Sequence, residues 1–167
     1  MKARHHGFGI IGWIVAIPLT LVALLLIVVG FYEGRKSYWD SKIQEMCTKD
    51  GGTRVYERVS LTKSEYDRLG GRAGAIPLYR EENAPRDYPF VVKTTDIVFH
   101  EKNPRVYKSE TRYIRQLDKK VLAMSIRYVR LGGDFPTYAH PSSFLCPDQE
   151  RAVAEESAIF SFEGLKK

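Results

Sequence analysis

A run of 25 consecutive residues without a charge, from Phe8 to Tyr32, constrains this chain more than any other feature. Of these residues 20 are apolar, and about 20 apolar residues are enough for a helix to cross a bilayer. The sequence therefore predicts a transmembrane helix over 8–32, with residues 1–7 on one side of the membrane. Pro18 is compatible with this, because a membrane helix tolerates a kink. A wholly soluble chain and a multi-spanning chain are both excluded.

The length of the run favours an uncleaved signal-anchor over a cleaved signal peptide. A secretory signal has an apolar core of about 7–15 residues followed by small residues at its cleavage site. The end of this run, Val29 to Glu33, has no such pattern. Tyr38 and Trp39 follow it and are typical of the aromatic belt at a membrane interface.

The two cysteines, rather than the flanking charges, indicate the orientation. Cys47 and Cys146 are the only cysteines and lie near opposite ends of the polar part of the chain. They predict one disulfide, which persists only in an oxidising compartment and contributes about 4–5 kcal/mol for a loop of this length. The alternative is two separate thiols in a cytosolic domain. We expect the disulfide, with the N-terminus cytoplasmic and the C-terminal domain periplasmic, in the inner membrane of a bacterial-type cell.

The remaining chain has the composition of one folded domain. Residues 33–167 contain 51 apolar residues in 135, and 44 charged residues. Residues 33–50 have apolar side chains at helical spacing and predict a juxtamembrane helix that ends at Gly51-Gly52. A capping box at Thr62–Glu65 predicts the start of a short helix reaching Leu69.

Alternating β-formers predict about four strands in residues 51–167, which we take as the globular domain. Glycines and prolines make 70–89 a long loop, and apolar spacing predicts a C-terminal helix over 148–163. The fold class is α+β, with an antiparallel meander sheet and a short helix after the first strand. The predicted strands are Thr53–Leu61, Phe90–His100, Arg105–Leu117 and Lys119–Leu131.

Arginines and tyrosines alternate along these segments and are the candidate contact residues. Basic and aromatic side chains on one sheet face can hold a polyanion. The net charge of 33–167 is only +4, from 24 basic and 20 acidic residues, which disfavours nucleic acid and favours a solvated face with cross-strand pairs. The candidates are Arg54, Tyr56, Arg58, Tyr79, Arg80, Arg105, Tyr107, Arg112, Arg115, Arg127 and Arg130.

No motif for catalysis, metal binding or a cofactor is present. His100 and His140 lack a second ligand at metal-site spacing, and phosphate-binding loops, dinucleotide fingerprints and hydrolase motifs do not occur. We therefore expect no cofactor, no metal and no enzyme. An envelope enzyme using a histidine and a carboxylate is the least favoured alternative.

The N-terminus resembles type IV pilins and pseudopilins. Their pattern has a short basic leader ending in glycine, then phenylalanine and an apolar helix leading into a globular head. Lys2 to Gly7 followed by Phe8 matches it, whereas Gly12 stands where that family has glutamate. The resemblance covers about the first 45 residues and implies a pilin-like surface subunit that loses residues 1–7.

Taken together, these features predict a single-pass membrane protein with a non-catalytic interaction or assembly domain. An anchor raises the local concentration of such a domain at the bilayer. The expected contacts are lipid and a protein partner, through loop 70–89 and the Tyr/Arg faces. No sequence feature specifies an oligomeric state.

Overall fold

The structure is a computed structural model that describes residues 10–72, 75–136, 141–151 and 158–162. One continuous helix, α1 (Ile10–Asp50), joins the apolar run to the predicted juxtamembrane helix. Of the described residues, this helix alone is long and apolar enough to cross a membrane. It ends where the Gly51 amide donates to the Cys47 carbonyl (2.8 Å) and Gly52 adopts a φ of 107°, which glycine tolerates because it has no Cβ.

Eight strands and one short helix follow α1 in the described part of the chain. The strands form a larger mixed sheet and a separate two-stranded sheet. Their bounds are β1 (Gly52–Val55), β2 (Val59–Leu61), α2 (Lys63–Arg68), β3 (Tyr79–Arg80), β4 (Phe90–His100), β5 (Arg105–Arg115), β6 (Lys120–Leu131), β7 (Ser143–Cys146) and β8 (Phe160–Phe162).

The predicted α+β class is confirmed, but the sheet is mixed and has more strands than predicted. Its order is β1-β6-β5-β4-β3, and β7 also pairs with β6. The β4–β5–β6 meander is antiparallel, as expected. However, β3 runs parallel to β4, and β2 pairs in parallel with β8 in the second sheet.

The predicted strand Thr53–Leu61 is wrong as a single element. It is interrupted between β1 and β2, because the amides of Tyr56 and Glu57 both donate to the Leu122 carbonyl at 2.8 and 3.0 Å. This local break lets β1 pair with β6 and sends β2 to the other sheet. The predicted capping box at the start of α2 is confirmed.

The predicted C-terminal helix over 148–163 is wrong at its end, where residues Phe160–Phe162 form β8. Residues 152–157 and 163 of this prediction lie outside the described residues. A further strand, β7, ends at Cys146. Short strands of this kind are specified by their partners, since three or four residues carry little periodicity.

The sheet has two apolar clusters, and the second one includes α1. The first, away from the apolar half of α1, is built around Phe90, Tyr113, Leu122, Ile159 and Phe160, with contributions from β2 and α2. In the second, α1 packs on the sheet. Its buried members are Ile43, Cys47, Val106, Ile126, Tyr128 and Cys146.

Candidate functional site

A disulfide joins α1 to the last strand of the large sheet. Cys47 and Cys146 are bonded, with their Cα atoms 5.9 Å apart and 99 positions apart in sequence. The predicted pairing is therefore confirmed. Cys146 lies opposite Tyr128 in the β6–β7 register, so the bond ties the polar half of α1 to the edge strand β7, beside β6.

Arg130, on β6, is the most deeply buried charged side chain described, at 1% exposed. Its Nε donates to Asp40 on α1 at 2.5 Å and its Nη2 donates to the same carboxylate at 3.4 Å. Its Nη1 donates to the Gly132 carbonyl and to Ser142 Oγ. A buried guanidinium needs such full pairing, since an unpaired charge in the interior is strongly destabilising.

A second ion pair lies one turn of α1 earlier. Lys36 Nζ donates to Asp134 Oδ1 at 2.9 Å, and the amide and hydroxyl of Ser142 donate to the same carboxylate at 2.6 and 2.8 Å. The hydrogen bond from Lys36, followed by those from Ser142, holds the pKa of Asp134 far below its usual range. The carboxylate stays charged and links the loop after β6 to the helix.

A third contact closes the end of α1. Tyr128 Oη donates to Asp50 Oδ1 at 2.7 Å, and Lys108 Nζ donates to Asp50 Oδ2 at 2.9 Å. Burial, followed by this hydrogen bond, raises the pKa of Tyr128 to about 12. Burial alone would raise the pKa of Asp50, but the hydrogen bonds from Tyr128 and Lys108 outweigh it and lower that pKa.

These contacts form what we call the helix–sheet junction. On α1 it comprises Lys36, Asp40, Cys47 and Asp50, which together span four turns of the helix. Each binds a residue of the sheet domain. The domain is therefore fixed to the helix by three charged contacts and one covalent bond, with no flexible linker between them.

The structure separates the predicted Arg and Tyr residues into several surfaces. Arg54 and Arg112 lie on either side of Met124 and, with Lys93, form one cross-strand row. This exposed basic row lies beyond the end of α1, on the side of the sheet that α1 covers. Arg130 shares that side but is taken up in the junction.

The opposite side of the sheet carries a different group. Arg105 and Tyr107 alternate with residues facing α1, and the Arg105 guanidinium lies 5.4 Å from the centre of the Tyr107 ring. Arg127 shares this side through its place opposite Ser109. The predicted residues thus do not form one continuous basic and aromatic face.

The other predicted contact residues lie at the end of the sheet away from the apolar half of α1. Arg115 binds Glu57 at 2.6 Å and Asp118 at 2.7 Å, so this cation is paired with the loop after β1 and with the β5–β6 turn. Tyr56 and Arg58 are exposed between β1 and β2, and Tyr79 and Arg80 form β3.

The segment 70–89, expected to be a loop for partner contacts, is partly incorporated in the core. Ile76 and Tyr88 are buried, and Tyr88 Oη donates to the Pro77 carbonyl at 2.5 Å. The segment also contains β3 and a 3-10 turn, Glu81–Asn83. Residues 73–74 lie outside the described residues.

Sequence reasoning missed the open edge of the large sheet. β3 covers β4 only at Val91 and Val92, so within the described chain no strand pairs with Lys93–His100 on the side away from β5. Three apolar side chains there are exposed: Ile97 at 43%, Val98 at 37% and Phe99 at 48%. The available signal was the run Ile97-Val98-Phe99, which places apolar residues on both faces of one strand.

A cleft of about 450 Å³ lies at the start of this open edge. It forms where β3 ends and the chain turns through Glu81–Asn83. Its lining mixes both signs of charge with one apolar side chain. The lining residues are Arg80, Glu81, Glu82, Val92, Lys93, Thr94 and Asp96.

His100, considered above for catalysis, contacts backbone and an aromatic ring. Its Nδ1 donates to the carbonyl of Pro104 at 2.6 Å, and its ring lies 5.1 Å from that of Trp39. Among the described residues, no group of acidic, histidine and cysteine side chains has the arrangement of a metal site. His140 and the leader residues 1–7 lie outside the described residues.

The candidate functional features are thus the open sheet edge, the cleft and the helix–sheet junction. No protein-family model, curated protein or solved structure matches this chain.

Proposed function

We propose that this chain is a single-pass membrane protein whose sheet domain is a non-catalytic binding module, held at a set orientation on the periplasmic side of a bacterial-type inner membrane. One observation supports this above all. The helix that could cross the membrane and the helix that packs on the sheet are the same unbroken element, α1.

The two halves of α1 have opposite surroundings. In the apolar half, side chains such as Leu19, Leu26 and Phe31 are exposed within the described structure. Such a large apolar surface is unfavourable in water and favourable in lipid. In the polar half, Ile43 is completely buried against the sheet.

The distance between these halves is short. From Tyr32 to Ile43 the helix rises about 16 Å at 1.5 Å per residue. Tyr32 itself packs edge-to-face on Phe135, with ring centres 5.6 Å apart. The domain would therefore lie directly on the membrane surface, and the helix–sheet junction would keep the same part of it facing the bilayer.

The disulfide supports the proposed compartment. A bond between Cys47 and Cys146 is stable in an oxidising space such as the periplasm and is rare in the cytosol. Since Cys47 follows the apolar run, we propose that the C-terminal domain lies outside the cytoplasm and the N-terminus within it.

Membrane fractions of cells that express the full chain test the anchoring and the orientation. We expect the protein to remain in membranes washed with carbonate, to be digested by protease added to spheroplasts, and to migrate faster without reductant. Release by carbonate, or protection of the domain in intact spheroplasts, would contradict the proposal.

Photo-crosslinking in the same cells tests the binding role. A photoreactive residue is placed at one exposed position at a time: Tyr56, Leu117, Thr95 or Ile97. We expect at least one surface to give a discrete adduct with another protein. Absence of adducts at all four positions would contradict a binding module.

A further inference from the structure

We infer that the open edge of β4, residues Lys93–His100, binds an extended segment of a second protein by adding it to the sheet as a further strand. This inference rests on the proposed binding function and specifies its site and the chemical class of its partner. The interaction would use the β4 backbone for affinity and its exposed side chains for selectivity.

The backbone of this edge has unsatisfied bonding capacity. In an edge strand, every second residue directs both its N–H and its C=O away from the sheet. The segment Lys93–His100 therefore offers about four such residues, and within the described chain no strand pairs with them on that side.

Proteins usually protect such edges. Common devices are short edge strands, prolines, several lysines or a bulge. Between Lys93 and Val98, β4 has no proline and one lysine, and its pairing with β5 is regular. The register shift occurs only between Val98 and His100. The stretch Lys93–Val98 is therefore unprotected, which is the expected form of a strand-addition site, and the register shift lies at its end.

The exposed side chains indicate what would bind. By alternation, Ile97 faces the side of α1 and Asp96 and Val98 face the other side. The Phe99 ring stacks on Tyr128 on the side of α1. Cross-strand pairs of opposite charge or of apolar residues are favourable. The partner segment should have apolar residues opposite Ile97 and Val98, an acidic residue opposite Lys93 and, three positions away, a basic residue opposite Asp96.

A second copy of this chain does not fit the edge symmetrically. The His100 ring contacts Trp39 of α1, so β4 runs toward the apolar half of the helix. Two copies inserted in one membrane the same way would bring two β4 strands together in parallel. A two-fold axis parallel to these two strands would place the same backbone group of each strand opposite itself, so the strands could not pair. Edge strands related by a two-fold axis pair when they are antiparallel.

The cleft at the other end of the edge offers a natural end point for the added strand. It begins where β3 stops and is lined by Val92, Lys93 and Thr94 of β4. A segment pairing with Lys93–His100 would approach β3 end to end on the same side of β4, and its terminal residue would occupy this cleft.

The test uses the full chain in nanodiscs of phosphatidylethanolamine and phosphatidylglycerol, probed with a library of random twelve-residue linear peptides. Peptides that bind the wild-type chain are counter-selected against the Ile97→Asp variant. Leu117→Asp is the matched control, since Leu117 is 91% exposed in the turn between β5 and β6. We expect a consensus with two neighbouring apolar residues, opposite Ile97 and Val98, whose binding Leu117→Asp leaves unchanged.

A backbone scan of the selected peptide then distinguishes strand addition from side-chain docking without changing the protein. N-methylation at successive residues should lower affinity about tenfold at every second position and less than twofold between them, since it removes a hydrogen bond only where the amide faces β4. Bound peptide should also protect alternate amides of Lys93–Val98 from hydrogen exchange.

Several outcomes would overturn the inference. These are no enriched peptide, equal binding to Ile97→Asp, an N-methyl scan without alternation, or dimers of the chain linked through β4. The photo-crosslinking experiment distinguishes failure of this inference from failure of the proposed function. Adducts at Tyr56 or Leu117 with none at Thr95 or Ile97 would leave a binding module with a different site, and no adducts at all would contradict both.

Discussion

Arg130 on β6 binds Asp40 on α1 at 2.5 Å, across 90 positions of sequence. The guanidinium is buried and the carboxylate is partly exposed, at 26%. The pair lies between the apolar half of α1 and the disulfide. It therefore couples the orientation of the sheet domain to that of the helix which we propose to be the membrane anchor.

Removing the cation should destabilise the domain strongly. Arg130→Met leaves the Asp40 carboxylate partly buried without its partner, and breaking such a pair costs about 3 kcal/mol. Denaturant unfolding in detergent, followed by near-ultraviolet circular dichroism, measures the change. Arg86→Met, at an exposed turn residue, should change stability by less than about 0.5 kcal/mol. Equal effects of the two variants would show that the pair is unimportant.

Loss of the disulfide should weaken the attachment of the sheet to α1. The double variant Cys47→Ser, Cys146→Ser should lose about 2–5 kcal/mol, because the unfolded chain regains the freedom of a loop of this length. Reductant should lower the unfolding midpoint of the wild-type chain and leave that of the double variant unchanged. A wild-type midpoint that does not respond to reductant would contradict the prediction.

Tyr128 should titrate late. The pKa of Tyr128 is raised to about 12 by burial and by its hydrogen bond to Asp50. The native state thus favours the neutral phenol, so the stability from this group is present below about pH 10 and is lost as pH rises toward the folded pKa. Carbon-13 NMR of labelled Cζ atoms should show a late signal that disappears in Tyr128→Phe and shifts to lower pH in Asp50→Asn. Burial also raises the pKa of Tyr88, so the comparison is made in a Tyr88→Phe background. A late signal that persists there in Tyr128→Phe would refute the assignment.

Acid should weaken the contact between α1 and the loop after β6. The pKa of Asp134 is depressed in the native state, so its stabilising contribution is present above the ordinary aspartate pKa of about 4 and is lost as pH falls below it. Asp134→Asn should lower stability at pH 7 and flatten its dependence between about pH 4 and pH 2. Asp67→Asn, on the exposed surface of α2, serves as the control. An unchanged acid profile in Asp134→Asn would contradict the prediction.

The capping box of α2 should contribute measurably despite the shortness of this helix. Thr62 Oγ1 accepts from the Glu65 amide, and the Glu65 carboxylate accepts from the Thr62 amide at 2.9 Å. Thr62→Ala should cost about 1 kcal/mol. Ser64→Ala, within the helix and exposed, should be neutral or slightly stabilising because alanine is the better helix former. The comparison uses the thermal unfolding temperatures of the two variants. A loss of stability in Thr62→Ala that is smaller than that in Ser64→Ala would rule out a contribution from the cap.

Local signals in the sequence were sufficient for the long elements. Residues Phe90–His100 carry enough β-formers to specify β4 to its observed bounds, and the capping box defined the start of α2. The long apolar run and the helical spacing after it were each recognised, although only the structure joins them in one helix. The number of cysteines left a single possible pairing, which the structure contains.

The contacts that matter most for the proposed function had no local signal. Arg130 follows Tyr128 on the same face of β6, as an arginine on any strand could, and only packing against α1 buries it beside Asp40. β7 and β8 are three or four residues long, so their pairing depends on the strands that happen to lie beside them. The length of β3 likewise has no local signal. Because β3 pairs with only two residues of β4, most of that edge of β4 is left open.

The uncharged run from Phe8 to Tyr32 by itself determined that this chain has a helix able to cross a membrane, since hydrophobic length is a local property of the sequence. The orientation of the domain on that helix, and the sheet edge that it leaves open, were decided only by tertiary structure. Both depend on hydrogen bonds and packing between residues tens of positions apart, which no local pattern encodes.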